Sequence, residues 1–159
     1  MKPLIIYFSR TKTTKKLAEE IAKRLECKIE PIVTKKYDNG LLGLLSAGYD
    51  TLVKTKTKFE PMRNNPSAFD IVLIGTPVWV NTCSDPVRTF LSDNKGRFND
   101  VAFFCTYGRN VGVTFKEMSD LVGKKPKATV GFHENEIKHK KLEKLDDFIE
   151  LIKKPLNLY

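Results

Sequence analysis

Short apolar segments alternate with amphipathic segments along the whole chain. Five of them, at 3–8, 27–33, 70–75, 99–105 and 127–132, are rich in β-branched and aromatic residues and predict strands. Apolar residues recur at helical spacing at 14–26, 85–93, 113–122 and 137–153. This alternation predicts an α/β fold: a three-layer, doubly wound sheet of five parallel strands in a single domain, 1–159. Pro31 places the second strand at an edge.

The segment 34–66 is the least regular part of the pattern. Residues 35–40 predict a turn, and 41–53 carry leucines at helical spacing despite Gly43 and Gly48. Residues 54–65 are polar, basic and interrupted by proline, so we interpret them as a surface loop.

The first predicted strand runs directly into a loop rich in hydroxyl groups. Ser9, Thr11, Thr13 and Thr14 fall within six residues, and a helical pattern follows at once. The first N–H groups of a helix lack internal partners, and the helix dipole is positive at that end. A buried strand, a hydroxyl-rich turn and a helix N-terminus together predict an anion site, and we interpret the anion as a phosphate.

Two further distinctive loops follow the third and fourth predicted strands. Residues 76–82 form an irregular loop that contains Trp79, the one tryptophan of the chain, and Ser84 or Asp85 then caps a helix. Residues 106–112 form the second loop, with Tyr107 and Gly108. In doubly wound sheets, ligands bind beyond the carboxyl ends of the strands. All three loops lie at such ends, so we expect one common site.

Charge and composition narrow the function classes. The formal net charge is +9, which suits nucleic acid, an acidic protein or an anionic ligand. No nucleic-acid-binding motif is present, which favours an acidic protein partner or a solvated basic surface. No apolar run approaches the ~20 residues that span a bilayer, and Met1-Lys2-Pro3 does not resemble a signal peptide. We therefore expect a cytoplasmic protein.

The cysteines and histidines argue against disulfide and metal chemistry. Cys27, Cys83 and Cys105 are widely spaced and odd in number, so they predict neither a disulfide framework nor a metal pair. Two histidines disfavour a zinc site. We interpret Cys83 and Cys105 as inert, small hydrophobic residues.

The loop sequences resemble the flavodoxin family. YFSRTKTT is similar to its phosphate loop, GTPVWVNT to its first flavin loop and FFCTYGRN to its second. AGYDTLVK and PVRTFL resemble a microbial subgroup of the family, and the resemblance covers nearly the whole chain. It implies a flavodoxin-like fold with strand order 2-1-3-4-5, and it implies FMN as the cofactor.

The resemblance also implies which residues bind FMN. They are Ser9, Arg10, Thr11, Lys12, Thr13 and Thr14 in the phosphate loop, Thr76, Pro77, Val78, Trp79, Val80, Asn81 and Thr82 in the first flavin loop, and Thr106, Tyr107, Gly108 and Arg109 in the second. Trp79 matches the aromatic residue that stacks on the flavin, with Tyr107 on the other side of the ring. Asn81 matches a position often occupied by glycine, and Asn tolerates the left-handed region.

Lys12 departs from the family pattern, which has glycine at this position. If the backbone there has a positive φ, lysine adds strain of about 1 kcal/mol. It also adds a cation beside the phosphate, with a salt-dependent contribution to binding.

The function implied by the resemblance is that of an FMN-binding, low-potential carrier of one or two electrons between redox proteins, with no catalytic side chain. Flavodoxins are usually acidic, whereas this chain is basic. We therefore expect acidic redox protein partners, no nucleic-acid or membrane partner, and a monomer or weak dimer. Two alternatives stay open: an FMN-dependent NAD(P)H:quinone-type oxidoreductase, and a flavin-free interaction domain in which Lys12 has abolished phosphate binding.

Overall fold

The computed structural model describes residues 1–37, 49 and 56–154. Its strands are β1 (Pro3–Tyr7), β2 (Lys28–Pro31), β3 (Ile71–Trp79), β4 (Thr82–Cys83), β5 (Asp100–Tyr107) and β6 (Thr129–His133). Five of them form a parallel sheet in the order β2-β1-β3-β5-β6, and β4 pairs antiparallel with the end of β3. Without β4 this is the predicted order 2-1-3-4-5, and β2, which contains Pro31, lies at the predicted edge.

The helices are α1 (Thr13–Leu25), α2 (Asp85–Asp93), α3 (Thr114–Val122), α4 (Glu134–Lys138) and α5 (Lys144–Lys153), with a short 3₁₀ turn at Pro66–Ala68. None of the helices in the described part of the chain is long and apolar enough to cross a membrane. Residues 56–65 contain no helix or strand, as predicted for a loop. The predicted helix at 41–53, apart from residue 49, and part of the predicted turn at 35–40 lie outside the described residues.

The core lies on both faces of the sheet because successive side chains of each strand point to opposite sides. In β1, Leu4 and Ile6 belong to the cluster under α2 and α3, whereas Ile5 and Tyr7 belong to the cluster under α1 and α5. All four side chains are buried. This burial on both faces agrees with the predicted three-layer, doubly wound sheet.

Two sequence predictions of secondary structure are wrong. The single helix predicted at 137–153 is two helices, because Lys140 takes φ 55° and the chain turns there. The first of them begins at Glu134, where His133 and Glu136 form a reciprocal N-terminal cap. The irregular loop predicted at 76–82 is instead a hairpin: β3 continues to Trp79, and β4 returns beside it.

The turn of this hairpin holds two non-glycine residues at positive φ. Val80 has φ 47° and Asn81 has φ 63°, as in the type I′ turns that match the twist of two-residue hairpins. Asn is common in such turns, but a β-branched residue in the left-handed region is an outlier. Val80 therefore carries backbone strain at the tip of the hairpin.

Val80→Asn should relieve this strain and raise the free energy of unfolding by about 1 kcal/mol. Urea unfolding followed by circular dichroism measures the change. The control is Val33→Asn, because Val33 is also exposed (41% against 52%) but lies outside any helix cap and does not have a positive φ. The control should shift stability by less than about 0.5 kcal/mol. A Val80→Asn protein no more stable than the control would contradict the assignment of strain.

Candidate functional site

The carboxyl ends of β1, β3 and β5 meet at one edge of the sheet, where a cavity of about 460 Å³ opens. It is lined by Arg10, Thr11, Pro77, Val78, Trp79, Val80, Asn81, Thr106, Gly108, Arg109, Asn110 and Glu134. Its volume falls within the range of small-ligand sites, roughly 300–1,000 Å³. The three loops that the sequence marks as distinctive thus open into the same cavity.

The hydroxyl-rich loop lies between this cavity and a second one of about 290 Å³. Arg10 lines both cavities, whereas Ser9 and Lys12 line only the second, together with Lys15. The loop therefore presents cations on both of its sides. Positive charge at the start of a 13-residue helix makes this edge favourable for an anion.

The loop hydroxyls of Ser9 and Thr14 differ in whether they have a hydrogen-bond partner among the described residues. Thr14 Oγ1 is buried and shares a hydrogen bond of 2.8 Å with Thr106 Oγ1, which joins the first loop to the end of β5. The Oγ of Ser9 is also shielded from solvent, but it has no hydrogen-bond partner among the residues the structure describes. A shielded hydroxyl without a partner is costly. Ser9 is thus prepared to bond to a ligand group.

Lys12 sits at the N-cap of α1 with φ 68° and ψ −3°, in the left-handed region. The backbone at Lys12 therefore has the positive φ at which a lysine is strained. The backbone still closes the first turn, because Lys16 N donates to Lys12 O at 3.0 Å. The loop keeps the conformation that a glycine would adopt freely, and it carries a cation there as well.

Trp79 combines a structural role with a position on the cavity wall. Its ring makes edge-to-face contacts with Phe8 (5.5 Å between centroids) and Tyr37 (5.1 Å). The indole is only partly buried and packs against the core cluster of that sheet face. Two aromatic neighbours hold the indole in place, so it offers a rigid flat surface at the cavity wall.

The hairpin tip is attached to the loop after β5. Val113 N donates to Asn81 O at 2.8 Å. A Cβ at Gly112 would lie 2.1 Å from Asn81 O, and Gly112 has φ +57°, so the close approach needs glycine. This contact fixes the mouth of the cavity on the side of Trp79.

The loop after β5 is also held from the other side, by His133. Nδ1 of His133 accepts from Asn135 N at 3.1 Å, so Nε2 bears the proton and donates to Gly108 O at 3.0 Å. Tyr107 does not line the cavity; its ring packs edge to face on His133, with centroids 5.6 Å apart. Its expected position beside a flavin ring stays a prediction.

Four more of the expected site residues line neither cavity, namely Thr13, Thr14, Thr76 and Thr82. Thr76 Oγ1 donates to Pro77 O at 2.8 Å and lies 3.0 Å from Ser84 Oγ. Ser84 is the N-cap residue of α2, but its side chain makes no cap hydrogen bond. The hydroxyls of Thr14 and Thr76 therefore hold neighbouring segments together beside the cavity.

Asn110 and Glu134 also line the cavity, although the sequence pattern does not mark them as site residues. Asn110 directly follows the expected segment of the second loop. Glu134 comes from a fourth strand end, that of β6, and brings a carboxylate to a wall that also holds Arg10 and Arg109. The signal available for Glu134 was its place just after a predicted strand at the same sheet edge.

The two cysteines near the site are buried, which agrees with their interpretation as small hydrophobic residues. Cys83 and Cys105 are completely buried. Burial raises the pKa of Cys105 to about 12, even though nearby Lys144 lowers it. Burial, followed by the charge of Glu117, raises the pKa of Cys83 further still. Neither thiol ionises near neutral pH.

Comparisons with known proteins give solved structures of similar shape. No family model and no curated protein matches the sequence. A flavoprotein from Lactobacillus acidophilus, crystallised in complex with FMN, superposes with a TM-score of 0.74 at 20% identity, over 92% of this chain and 97% of the other. An archaeal flavodoxin gives 0.50 at 18% identity, over 96% and 99%.

A flavone reductase gives a TM-score of 0.56 at 12% identity, over 95% of this chain and 60% of the other. All three likenesses are below 25% identity, so what they establish is architecture. Together with the strand order, they show that this chain has a flavodoxin-like fold.

Proposed function

We propose that this chain binds FMN and carries electrons between redox proteins. The observation that carries the proposal is the joint placement of an anion-binding turn and a rigid indole on one cavity. Either feature alone has an ordinary structural explanation. Their convergence at the carboxyl edge of the sheet matches the shape of a flat ring joined to a phosphate by a short chain.

The residues of the turn fit the phosphate group. Ser9 has a shielded hydroxyl in need of a partner, and Thr11 offers an exposed one at the cavity. The first N–H groups of α1 point out of the helix at this end. Lys12 and Arg10 would supply charge-assisted hydrogen bonds. Thr14 already shares its hydroxyl with Thr106, so it would contribute mainly by holding the turn in place.

The residues of the two flavin loops fit the ring. Trp79 would stack on one face, while the backbone of Pro77–Asn81 and Gly108–Arg109 would meet its polar edge. The Lactobacillus acidophilus flavoprotein of the same fold was crystallised with FMN, which supports this choice of ligand. When bound, FMN supplies the one- and two-electron chemistry.

The surroundings of the cavity would set how readily the cofactor accepts electrons. The aromatic wall of Trp79 excludes water and disfavours negative charge on the ring. Arg10 and Arg109 oppose that effect, and the carboxylate of Glu134 adds to it. None of these groups has to transfer a proton, which suits a carrier more than a turnover enzyme.

The second candidate is an FMN-dependent oxidoreductase that accepts hydride from NAD(P)H. Two observations favour it: the similarity of fold to a flavone reductase, and the cations Lys12 and Lys15 around the second cavity, which suit nucleotide phosphates. However, no long insertion that could build a substrate pocket is present among the residues that the structure describes.

Absorbance spectra during stepwise reduction, followed by an NAD(P)H oxidation assay without a partner protein, separate the candidates. The carrier proposal predicts a yellow FMN complex that dithionite reduces and that oxidises NAD(P)H only slowly. Rapid NAD(P)H turnover by the pure protein would identify the reductase. Absence of flavin absorbance after reconstitution and desalting would favour the flavin-free domain.

Trp79→Ala should weaken FMN binding by about 1–3 kcal/mol, because the mutant loses the stacking surface. Flavin fluorescence titration measures the affinity. Phe59→Ala is a control that removes a partly buried ring from the same core face without touching the cavity. Equal FMN affinity of wild type and Trp79→Ala would count against the stacking role.

Lys12 allows the charge and the strain at one position to be separated. Lys12→Ala removes the cation but keeps a side chain at positive φ, whereas Lys12→Gly removes both. We expect both variants to bind FMN about two- to fivefold more weakly at low salt, with the difference from wild type fading near 1 M salt. Lys16→Ala, one turn along α1, should bind like wild type. Tighter binding by Lys12→Gly would show that the lysine is strained here and is not a ligand.

An acidic redox protein is the partner that suits the rim of the cavity. Arg10 and Arg109 line the cavity, Lys12 lies on the other side of the first loop, and Lys36 Nζ lies 5.6 Å from the ring of Tyr37, which in turn contacts Trp79. Val80 on the hairpin tip, and Val113, which bonds to that tip, add exposed apolar side chains that a partner protein could contact. Opposite charge would steer such a partner toward the cofactor.

Electron transfer to a plant-type [2Fe–2S] ferredoxin, an acidic protein, should slow steeply as salt rises, as measured by stopped-flow absorbance. Lys36→Glu should lower the low-salt rate by about threefold or more. Lys153→Glu, at the opposite edge of the sheet, makes the same change in net charge and should have little effect. Equal losses in the two variants would mean that overall charge acts, with no defined rim.

A further inference from the structure

We propose that Arg88 is a positioning residue that sets the spacing of the two loops on either side of the ring cavity. This inference rests on the proposed function insofar as the ring is a flavin. The loops concerned are the hairpin turn with its flanking residues, 78–83, and the loop before α3, 108–113. Arg88 itself lies on α2, beneath the hairpin, and does not line the cavity.

All three guanidinium nitrogens of Arg88 donate hydrogen bonds, and together they reach three residues: Glu117, Asp85 and Cys83. Nε donates to Glu117 Oε1 at 3.1 Å, Nη1 donates to Asp85 Oδ1, and Nη2 donates to Cys83 O at 3.3 Å and to Glu117 Oε2 at 3.5 Å. The partners lie on α3, α2 and β4. One planar side chain therefore joins the return strand of the hairpin to the helix that follows the opposite loop.

Each contact leads in one step to the cavity wall. Cys83, whose carbonyl accepts from Arg88, pairs with Val78, and its neighbour Thr82 pairs with Trp79. On the other side, Glu117 N donates to Val113 O at 2.9 Å, one turn before it in α3. The thiol of Cys83 also donates to Glu117 Oε2, at 3.4 Å. The hairpin is therefore attached to the opposite loop at two places. The Val113 N–Asn81 O bond joins them at the hairpin tip, and Arg88 joins them through Cys83 and Glu117.

The burial of this cluster argues that it specifies geometry. The side chains of Asp85, Arg88 and Glu117 are 0%, 8% and 15% exposed. Ion pairs this deeply buried lose much of their attraction to desolvation, and apolar groups of similar size are often as stabilising. Their directional hydrogen bonds, however, allow only one relative placement of the elements they join. Because β4 and α3 adjoin the two loops, their relative placement sets the width of the cavity.

Lysine cannot reproduce the arrangement. Its single ammonium nitrogen has no planar fork, so it cannot reach Cys83 O, Asp85 and both oxygens of Glu117 together. Arg88→Lys thus keeps the charge and removes the geometry. Arg24→Lys is the matched control, because Arg24 also pairs with a carboxylate on another helix, Asp146, on the opposite face of the sheet.

The experiment compares three probes on wild type, Arg88→Lys and Arg24→Lys: FMN, riboflavin and inorganic phosphate. Arg88→Lys should bind FMN and riboflavin more weakly by the same factor, about tenfold, because both contain the ring. Its affinity for inorganic phosphate, measured by calorimetry, should not change, because the first loop is untouched. Unchanged riboflavin affinity, or equal losses for riboflavin and phosphate, would overturn the proposal and leave a merely structural role.

Hydrogen exchange of the flavin-free proteins gives a readout that does not depend on the cofactor. Peptides covering 78–83 and 108–113 should exchange faster in Arg88→Lys than in Arg24→Lys, with peptides covering 9–14 equal in both. Glu117→Gln, which keeps the shape of the side chain, should show a smaller change of the same kind if Arg88→Lys fails to fold. No change in the two loops refutes the positioning role. If the two loops exchange faster in Arg88→Lys but the wild-type protein binds neither FMN nor riboflavin, the positioning role is upheld and the FMN proposal is refuted.

Discussion

The parallel pairing of β3 between β1 and β5 is the constraint on which the site depends. Leu4 is paired with Val72, and Val72 with Val101, so the three strands run together and end at the same edge. Parallel strands present their carboxyl ends together, and each is followed by a turn that leads to another element. A hydroxyl-rich turn, an aromatic hairpin and a glycine-containing loop therefore meet, although they are far apart in the sequence.

Around this edge the chain holds several unfavourable local conformations, whereas Glu26 and Lys140, the other described non-glycine residues with positive φ, lie just past the ends of helices. Lys12, Val80 and Asn81 have positive φ, and all three lie on the loops of the site. The shielded Oγ atoms of Ser9 and Thr82 lack partners within the described residues. The well-packed sheet beneath supplies the stability that allows such features to persist. Strain and unpaired hydroxyls concentrated in one place support the view that these loops are shaped for a ligand.

The predictable part of the fold is the part dictated by hydrophobic periodicity. The segment Asp70–Gly75 is apolar on both faces, which is typical of a parallel strand covered on both sides, and the strand order then followed from the family resemblance. The hairpin was missed because its turn, Val80-Asn81, lacks the Asn-Gly pair that usually signals one. The break at Lys140 was missed because leucine spacing continues across it, whereas the turn depends on a single left-handed residue.

The candidate site likewise has a part that the sequence reveals and a part that it does not. The loops themselves could be located, because hydroxyls, Trp79 and glycine follow strands in a recognisable way. The roles of Glu134 and Arg88 could not be predicted, because they depend on contacts with residues distant in sequence. Glu134 reaches the cavity from the end of β6, and Arg88 joins Cys83 to Glu117. Side chains that act through tertiary contacts leave no local pattern.

The central claim, that an FMN ring lies against the indole of Trp79, can be tested with the intrinsic fluorescence of this one tryptophan. Titration of the purified protein with FMN, with emission of both chromophores recorded, is the direct measurement. We expect indole and flavin emission to be quenched together, and both to reach their limit at one FMN per chain. Flavin binding that leaves the emission of Trp79 unchanged would contradict this claim.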